Sequence, residues 1–436
     1  MNLPELPVIA IKTGYLLKYK TFFNSLPVIL PVIALLFMAG CNTYIPLSNY
    51  DYENAADDSS PLGCRALVRR SNDSVLVTVE VNARKLPPDA SPEVFRKRYA
   101  VTYTLVSNYK SNKPFAGDSV RVGALHAAGN GKFVFNIAFI RPTSFTYGVM
   151  ALRITEFGAD RVCMTDVPLD FTIPGMQQRY CLTKGESKFP LVRPFVRIGD
   201  TITVRDFHEG PKPLFIKYYG LAFSPALPAM FTNPSPPRNL KVIESFSLST
   251  DSETIFNNPG LYFAQEDSNT RDGFAFMVMP GRFPRVTRPD ELVSPLIYIT
   301  SREERNKLTA TTKPKEELDK FWVEVGGSRD HARRVIREYY EHVETANNLF
   351  TSFKEGWKTD RGMVFIIFGK PERISKTDDR EEWYYEKNAN FGELYFTFRR
   401  KPTIFSYDNF ELERFAEYDR VWYGTVEQWR KGVLKK

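Results

Sequence analysis

The spacing of apolar and polar positions divides the chain into three stretches of different character. From residue 62 to 176 the pattern alternates with period two. Val75, Val77, Val79 and Val81 fall on one side, with Ser74, Thr78 and Glu80 on the other. Val101, Tyr103 and Leu105 repeat it, as do Phe133, Phe135, Ile137 and Phe139, and then Leu169, Phe171 and Ile173. Asn72-Asp73, Gly117-Asp118 and Gly129-Asn130-Gly131 punctuate these runs. Short alternating strands separated by such turns predict an antiparallel β-sandwich.

A second β-rich stretch, residues 177–311, predicts strands at 195–205, 213–221, 245–250, 261–265 and 273–279. Between them lies a proline-rich loop from Phe223 to Pro237, too dense in proline for a regular ladder. It carries Phe223, Met230 and Phe231, and reads as a rigid lid packed on its own domain, with a recognition surface as the alternative. From 312 to 436 the period changes. Pro314 opens a helix whose Leu318, Phe321 and Trp322 share a face. After Gly326-Gly327-Ser328, a longer helix spans about 329–352. It places Ala332, Val335, Ile336, Tyr339, Val343, Ala346 and Phe350 at helical spacing. Strands are predicted at 363–368, 381–386 and 393–399, and a last helix at 425–433. The expected fold is mainly β with an α+β C-terminal part: two tandem antiparallel β-sandwich-like domains followed by an α+β domain.

The N-terminus carries a different pattern. Residues 26–40 form an apolar run broken by Pro27 and Pro31 and ending in Met38-Ala39-Gly40 before Cys41. At about 20 residues for a spanning helix, the run is too short to cross a bilayer, and lysines precede it. Met38-Ala39-Gly40-Cys41 resembles the lipobox of bacterial lipoproteins, with Met38 where leucine is commonest. That resemblance implies a signal peptide over residues 1–40, a diacylglycerol on the Cys41 thiol, and Cys41 as the first mature residue. Residues 41–61 are polar and read as a flexible tether. The expected address is the cell envelope, lipid-anchored to the outer membrane. Asn42-Thr43-Tyr44 bear no acidic cluster, so periplasmic and surface faces both stay open.

Composition removes several functions. The net charge of +8 comes from 59 Lys and Arg against 51 Asp and Glu, with the two signs mixed along the chain. A nucleic-acid binder would concentrate its basic residues, so no nucleic-acid partner is expected. Four histidines and no Cys-x-x-Cys pair offer no metal site, and no cofactor motif occurs. Cys64, Cys163 and Cys181 remain besides Cys41. Cys163 and Cys181 flank the end of one β-rich segment and are candidates for a disulfide, which spacing alone does not establish. No nucleophile elbow, zinc-protease helix or phosphate loop is present, so no catalytic residue is assigned. Asp206-Phe207-His208-Glu209 reads as an exposed turn. Glu381-Glu382 reads as a solvated strand start. His331 and His342, eleven residues apart on one helix, are about 16 Å apart along it and cannot share a metal.

The most specific residues lie near the C-terminus. Gly356-Trp357-Lys358-Thr359-Asp360 is followed by Arg361-Gly362 and the apolar run Met363–Phe368. Phe321-Trp322, Tyr339-Tyr340, Ala346-Asn347-Asn348-Leu349-Phe350, Trp383-Tyr384 and the strand with Phe396 and Phe398 accompany it in order. Together these resemble the GWxTD domain over roughly residues 312–436. Gly326-Gly327-Ser328-Arg329-Asp330 departs from the Asp-Pro start more usual there. The resemblance implies a secreted or lipid-anchored envelope protein of Bacteroidetes-type bacteria with β-domains ahead of the motif, and no established reaction.

Read physically, the motif is a helix-to-strand corner. Gly356 would end the long helix, Trp357 would anchor, Thr359 and Asp360 would fix a turn, and Gly362 would admit the strand. The alternative makes Thr359, Asp360 and Arg361 a polar site. The functional expectation is a non-enzymatic docking protein for an envelope protein or glycan. The alternatives are an envelope hydrolase and a carbohydrate-binding protein.

Overall fold

The computed structural model describes residues 62–111, 113–119, 125–158, 162–173, 175–208, 210–232, 240–386 and 392–432. Cys41, the apolar run before it and residues 41–61 lie outside them.

The first body is a two-sheet sandwich. Its strands are β1 (Gly63–Ser71), β2 (Ser74–Asn82), β3 (Tyr99–Val106), β4 (Ala116–Ser119), β5 (His126–Gly129), β6 (Lys132–Ile140), β7 (Tyr147–Glu156) and β8 (Val162–Asp170). Helix α1 (Pro92–Arg98) precedes β3. The sheets are ordered β1-β2-β6-β5 and β4-β3-β7-β8, and every pair is antiparallel. The alternation read from the sequence places Val75, Val77, Val79, Val81, Phe133 and Phe135 in the core, facing Leu105, Met150, Leu152 and Leu169. Gly129, Asn130 and Gly131 all take positive φ and turn the chain from β5 into β6, as the punctuation predicts.

The second body begins with α2 (Gly175–Arg179). Strands β9 (Cys181–Lys184), β10 (Phe195–Arg197), β11 (Thr201–Arg205), β12 (Pro213–Tyr219), β13 (Glu244–Ser249), β14 (Glu253–Ile255), β15 (Gly260–Gln265) and β16 (Phe274–Met279) follow. They form a five-stranded sheet, β10-β16-β15-β12-β13, and a three-stranded one, β14-β11-β9. The β10–β16 pair is parallel. Leu182, Ile202, Val204, Ile216, Tyr262 and Phe276 pack between the two sheets. The other face of the larger sheet is covered too: Tyr219, Leu261, Phe263 and Met277 meet Phe353 and Phe405 from the C-terminal part. A strand buried on both faces reads as a continuous apolar run, which is why β15 and β16 do not alternate.

The third body holds α3 (Pro289–Val293), α4 (Arg302–Ala310), α5 (Pro314–Gly326), α6 (Arg329–Phe350), α7 (Asp360–Phe368), β17 (Arg373–Lys376), β18 (Arg380–Tyr385), β19 (Leu394–Arg400), β20 (Phe410–Leu412) and α8 (Tyr418–Lys431). The strands make one antiparallel sheet in chain order. Gly327 at φ 68 stops α5, and the Ser328 hydroxyl caps α6 by accepting from His331 N. One expectation fails outright. Residues 363–368 are not a strand: they belong to α7, a helix buried on nearly every side. A short apolar run has no period to separate the two structures. The Cys163–Cys181 pairing fails as well. No disulfide joins the two: Cys163 lies in the first sandwich core, and Cys181 lies on β9, accepting from Arg69 Nη1 at 3.4 Å.

The first and third bodies interlock through buried charge. Lys376 of β17 meets Asp166 of β8 at 3.0 Å, and Arg400 of β19 meets Asp170 at 2.9 Å. His208 is no isolated turn residue, since its Nε2 lies 2.5 Å from Ser71 Oγ on the first sandwich.

His342 links the helices of the third body. Its Nδ1–H donates to Ile366 O at 3.1 Å, and its ring packs on Phe365 and Trp429. Burial pulls its pKa below the ordinary histidine value. The fold therefore holds it neutral, whereas the unfolded chain takes up a proton near pH 6.5. Stability contributed here is present above that pH and falls as pH drops towards the folded value. Urea midpoints measured between pH 7.5 and pH 5 should fall more for the native chain than for His342→Gln. Parallel declines would refute this role.

Candidate functional site

The GWxTD pentapeptide is built against the end of α6. Its chain leaves that helix at Phe350, where Thr351 is already extended. Gly356 therefore does not end the long helix, and its φ is not positive. It is a glycine for lack of space: a Cβ there would sit 2.0 Å from Ala346 O and 2.8 Å from Asn347 Cα. Gly362 has the same constraint, since a Cβ would lie 1.9 Å from Gly356 O. It stands in the first turn of α7 and admits no strand. The two motif glycines thus let three backbone segments pack closer than side chains permit.

Side chains then fix the corner. Asn347, buried near the end of α6, accepts from Trp357 N at 3.1 Å and donates to Pro284 O at 3.0 Å. Thr351 Oγ1 accepts from Gly356 N at 3.0 Å and donates to Asn347 O at 2.7 Å. Trp357 is 6 % exposed. Its carbonyl accepts from Tyr298 OH at 2.9 Å, and the two rings meet edge to face. Burial, and next the Asp360 carboxylate, push the Tyr298 phenol well above its ordinary value. Lys358 pairs with Glu355 at 2.8 Å, lies over the Trp357 ring, and donates to Leu221 O at 3.0 Å. Its own carbonyl accepts from Ala226 N at 2.9 Å.

Thr359 caps α7. Its hydroxyl accepts from Gly362 N at 3.0 Å and donates to Gly356 O at 2.7 Å. Asp360 is buried in the first helical turn, where a carboxylate suits the helix dipole. It accepts from Leu412 N at 2.7 Å and takes both terminal nitrogens of Arg414, at 2.6 and 3.1 Å. Arg361 is buried between the rings of Phe350 and Phe410. It pairs with Asp408 at 2.9 Å and Glu381 at 3.4 Å.

Glu381 is thus not a solvated strand start: it is buried and also accepts from Trp383 Nε1 at 3.2 Å. Glu382 points to the opposite face of β18 and pairs with Arg380 at 3.4 Å. The structure therefore brings Asp360 and Arg361 into one buried corner, each with its own counter-charge, and leaves Glu382 outside it.

The described part of the proline-rich loop packs both on its own domain, where Phe223 joins Phe195, Tyr219, Leu261 and Met277, and on this corner. Phe223 is buried and meets Phe353 edge to face. Met230 packs on the third core. Arg414 Nη2 donates to Leu227 O at 3.1 Å. Leu227, Phe231 and Phe415 remain exposed. Sequence reasoning missed Arg414, Asp408 and Tyr298, which lie about 50 to 60 residues from the motif and carry no spacing signal. Asn347 was visible as part of the Ala346-Asn347 element, without its role. Among the described residues, no cluster of three or more His, Cys, Asp or Glu is placed to hold a metal ion.

No curated protein matches the chain. A family model described as the GWxTD domain matches residues 260–431. The match starts well ahead of residue 312 and takes in β15 and β16. It also takes in α3 and α4, whose Val293 and Leu308 lie in the same core as Trp322 and Trp429. With the motif corner, the α+β architecture and this match in agreement, the chain is a GWxTD domain-containing protein.

Proposed function

We propose that this protein is a cell-envelope lipoprotein, anchored through a lipid on Cys41 in the outer membrane, whose GWxTD domain is a rigid docking platform for an envelope protein. The observation that carries the reading is the pairing of Asp360 with Arg414 and Leu412 N inside the corner. A carboxylate so engaged holds segments together and is not presented to a substrate. A hydrolase built on Asp360 and Arg361 is disfavoured for the same reason. Among the described residues no helix is long and apolar enough to cross a membrane, and the anchor assigned here precedes them.

The docking face we assign is centred on exposed Leu227 and Phe415, next to the hydrogen bond by which Arg414 ties the proline-rich loop to the turn before α8, with exposed Phe231 on the same loop. Mild crosslinking and affinity capture from the native envelope test it, with Cys41→Ala and the pair Leu227→Asp/Phe415→Asp alongside. One partner in fixed ratio is expected, lost in the surface variant and depleted with Cys41→Ala. Equal recovery with the surface variant, or no partner despite confirmed lipidation, would overturn the reading.

A carbohydrate-binding reading has one observation behind it. On the outer face of the last sheet, Arg373, Tyr384 and Tyr395 stand in a cross-strand row. The guanidinium lies 4.7 Å from the first ring, and the two rings are 5.0 Å apart. Tyr395 is exposed, so glycan recovered in the same capture would point there.

A further inference from the structure

Two cysteines of the first sandwich lie in one core. Cys64 is the second residue of β1 and Cys163 the second of β8, and both are almost fully buried in the cluster between the sheets. These strands are the edges of different sheets, yet they lie along each other with Cα atoms within 8 Å. Their far ends are tied together. Gln178 accepts from Arg70 Nε at 2.9 Å and donates to Asp170 O at 3.1 Å, bridging the C-terminal ends of the two strands. Cys64 is six residues before Arg70 and Cys163 is seven before Asp170. Both therefore stand near the starts of these neighbouring strands, away from the bridged ends. Burial pushes the Cys64 thiol well above its ordinary pKa, and the next cause is Cys163 itself, which marks the two as electrostatic neighbours.

We propose that Cys64 and Cys163 are oxidised to a disulfide that staples the two sheets, leaving Cys181 as the lone thiol. The oxidant is a disulfide donor, an oxidised dithiol protein of the envelope or glutathione disulfide. One cysteine thiolate attacks the donor S–S bond and expels a donor thiolate. The second thiolate attacks the mixed disulfide, closes the Cys64–Cys163 bond and expels the other donor thiolate. Two electrons pass to the donor, and the protons lost by the cysteines end on its two thiols. Because burial suppresses the thiolate, exchange precedes closure of the sandwich. Such a bond closes a loop of about 100 residues, near the upper range for constraining an unfolded chain.

The inference rests on the exported address proposed above, and the experiment separates the two. Mature protein extracted from the envelope is denatured with iodoacetamide and no reductant, then mapped by peptide mass. A linked Cys64–Cys163 peptide with alkylated Cys181 is expected, as is a fall in the unfolding midpoint on the order of 10 °C after reduction. Alkylation of all three cysteines, or a Cys163–Cys181 link, overturns the proposal. If the protein is not found in the envelope, the same mapping after refolding the full chain in a glutathione redox buffer decides the pairing alone. Three alkylated cysteines there overturn it equally.

Discussion

Gly356→Ala is expected to destabilise the protein by about 3 kcal/mol or more, near the top of the range for overpacking. The added methyl would stand 2.0 Å from Ala346 O. That oxygen is backbone of α6 and cannot swing aside like the end of a side chain. Movement is blocked on the other side by Gly362, where even a Cβ would stand 1.9 Å from Gly356 O. Relief would require α6 and α7 to part, which would expose the apolar surface of Met363, Val364 and Ile366. Gly424→Ala is the control. It lies within α8 with nothing near its missing Cβ, so alanine there should stabilise by roughly 0.5–1 kcal/mol. Guanidinium titrations of the three proteins measure both effects. A Gly356→Ala protein as stable as the native chain would mean the corner is loose.

Asp360→Ala is expected to cost about 3–5 kcal/mol, the range for removing one member of a buried ion pair. The loss has three sources. Arg414, nearly enclosed, keeps its charge without the carboxylate it grips. Leu412 N, at the end of β20, loses its acceptor. The first turn of α7 loses its only acidic residue. This cost belongs to breaking the pair and not to the pair's net worth. Replacing both partners with apolar groups of similar size can be close to neutral. A reaction site behaves otherwise, because catalytic carboxylates are often held at some expense to stability and their removal is neutral or stabilising.

Much of the fold was legible in the periods of the chain. The alternation of Val75 to Val81 and of Phe133 to Ile137 gave the first sandwich, because each strand has one buried and one open face. The heptad-like spacing from Ala332 to Phe350 gave α6 for the same reason. Legibility ended where burial was complete. Met363–Phe368 is apolar throughout, and a helix buried on all sides has no polar face to reveal its period. The signal that separates the cases was Thr359-Asp360 standing as a cap and an acidic first turn ahead of the run.

For the site, residue identities were legible and pairings were not. Turn propensity explains Thr359, but Asp360 is settled by Arg414, 54 residues on, and Arg361 by Asp408 and Glu381. The glycines misled in another way. Gly356 suggested a left-handed helix end, whereas a close backbone approach from α6 requires it. The proline-rich loop showed its stiffness and not what it lies on, since contact with Lys358 and Arg414 depends on how separate bodies meet.

The central claim is that the GWxTD corner is a structural joint. A double-mutant cycle in denaturation free energy, Asp360→Ala against Arg414→Ala, tests it most directly. If the pair is a joint, each single change destabilises, and the double change costs less than the sum by roughly 2 kcal/mol or more. If Asp360→Ala leaves stability unchanged or raised and the two changes simply add, the carboxylate is kept for chemistry at this site and the account is wrong.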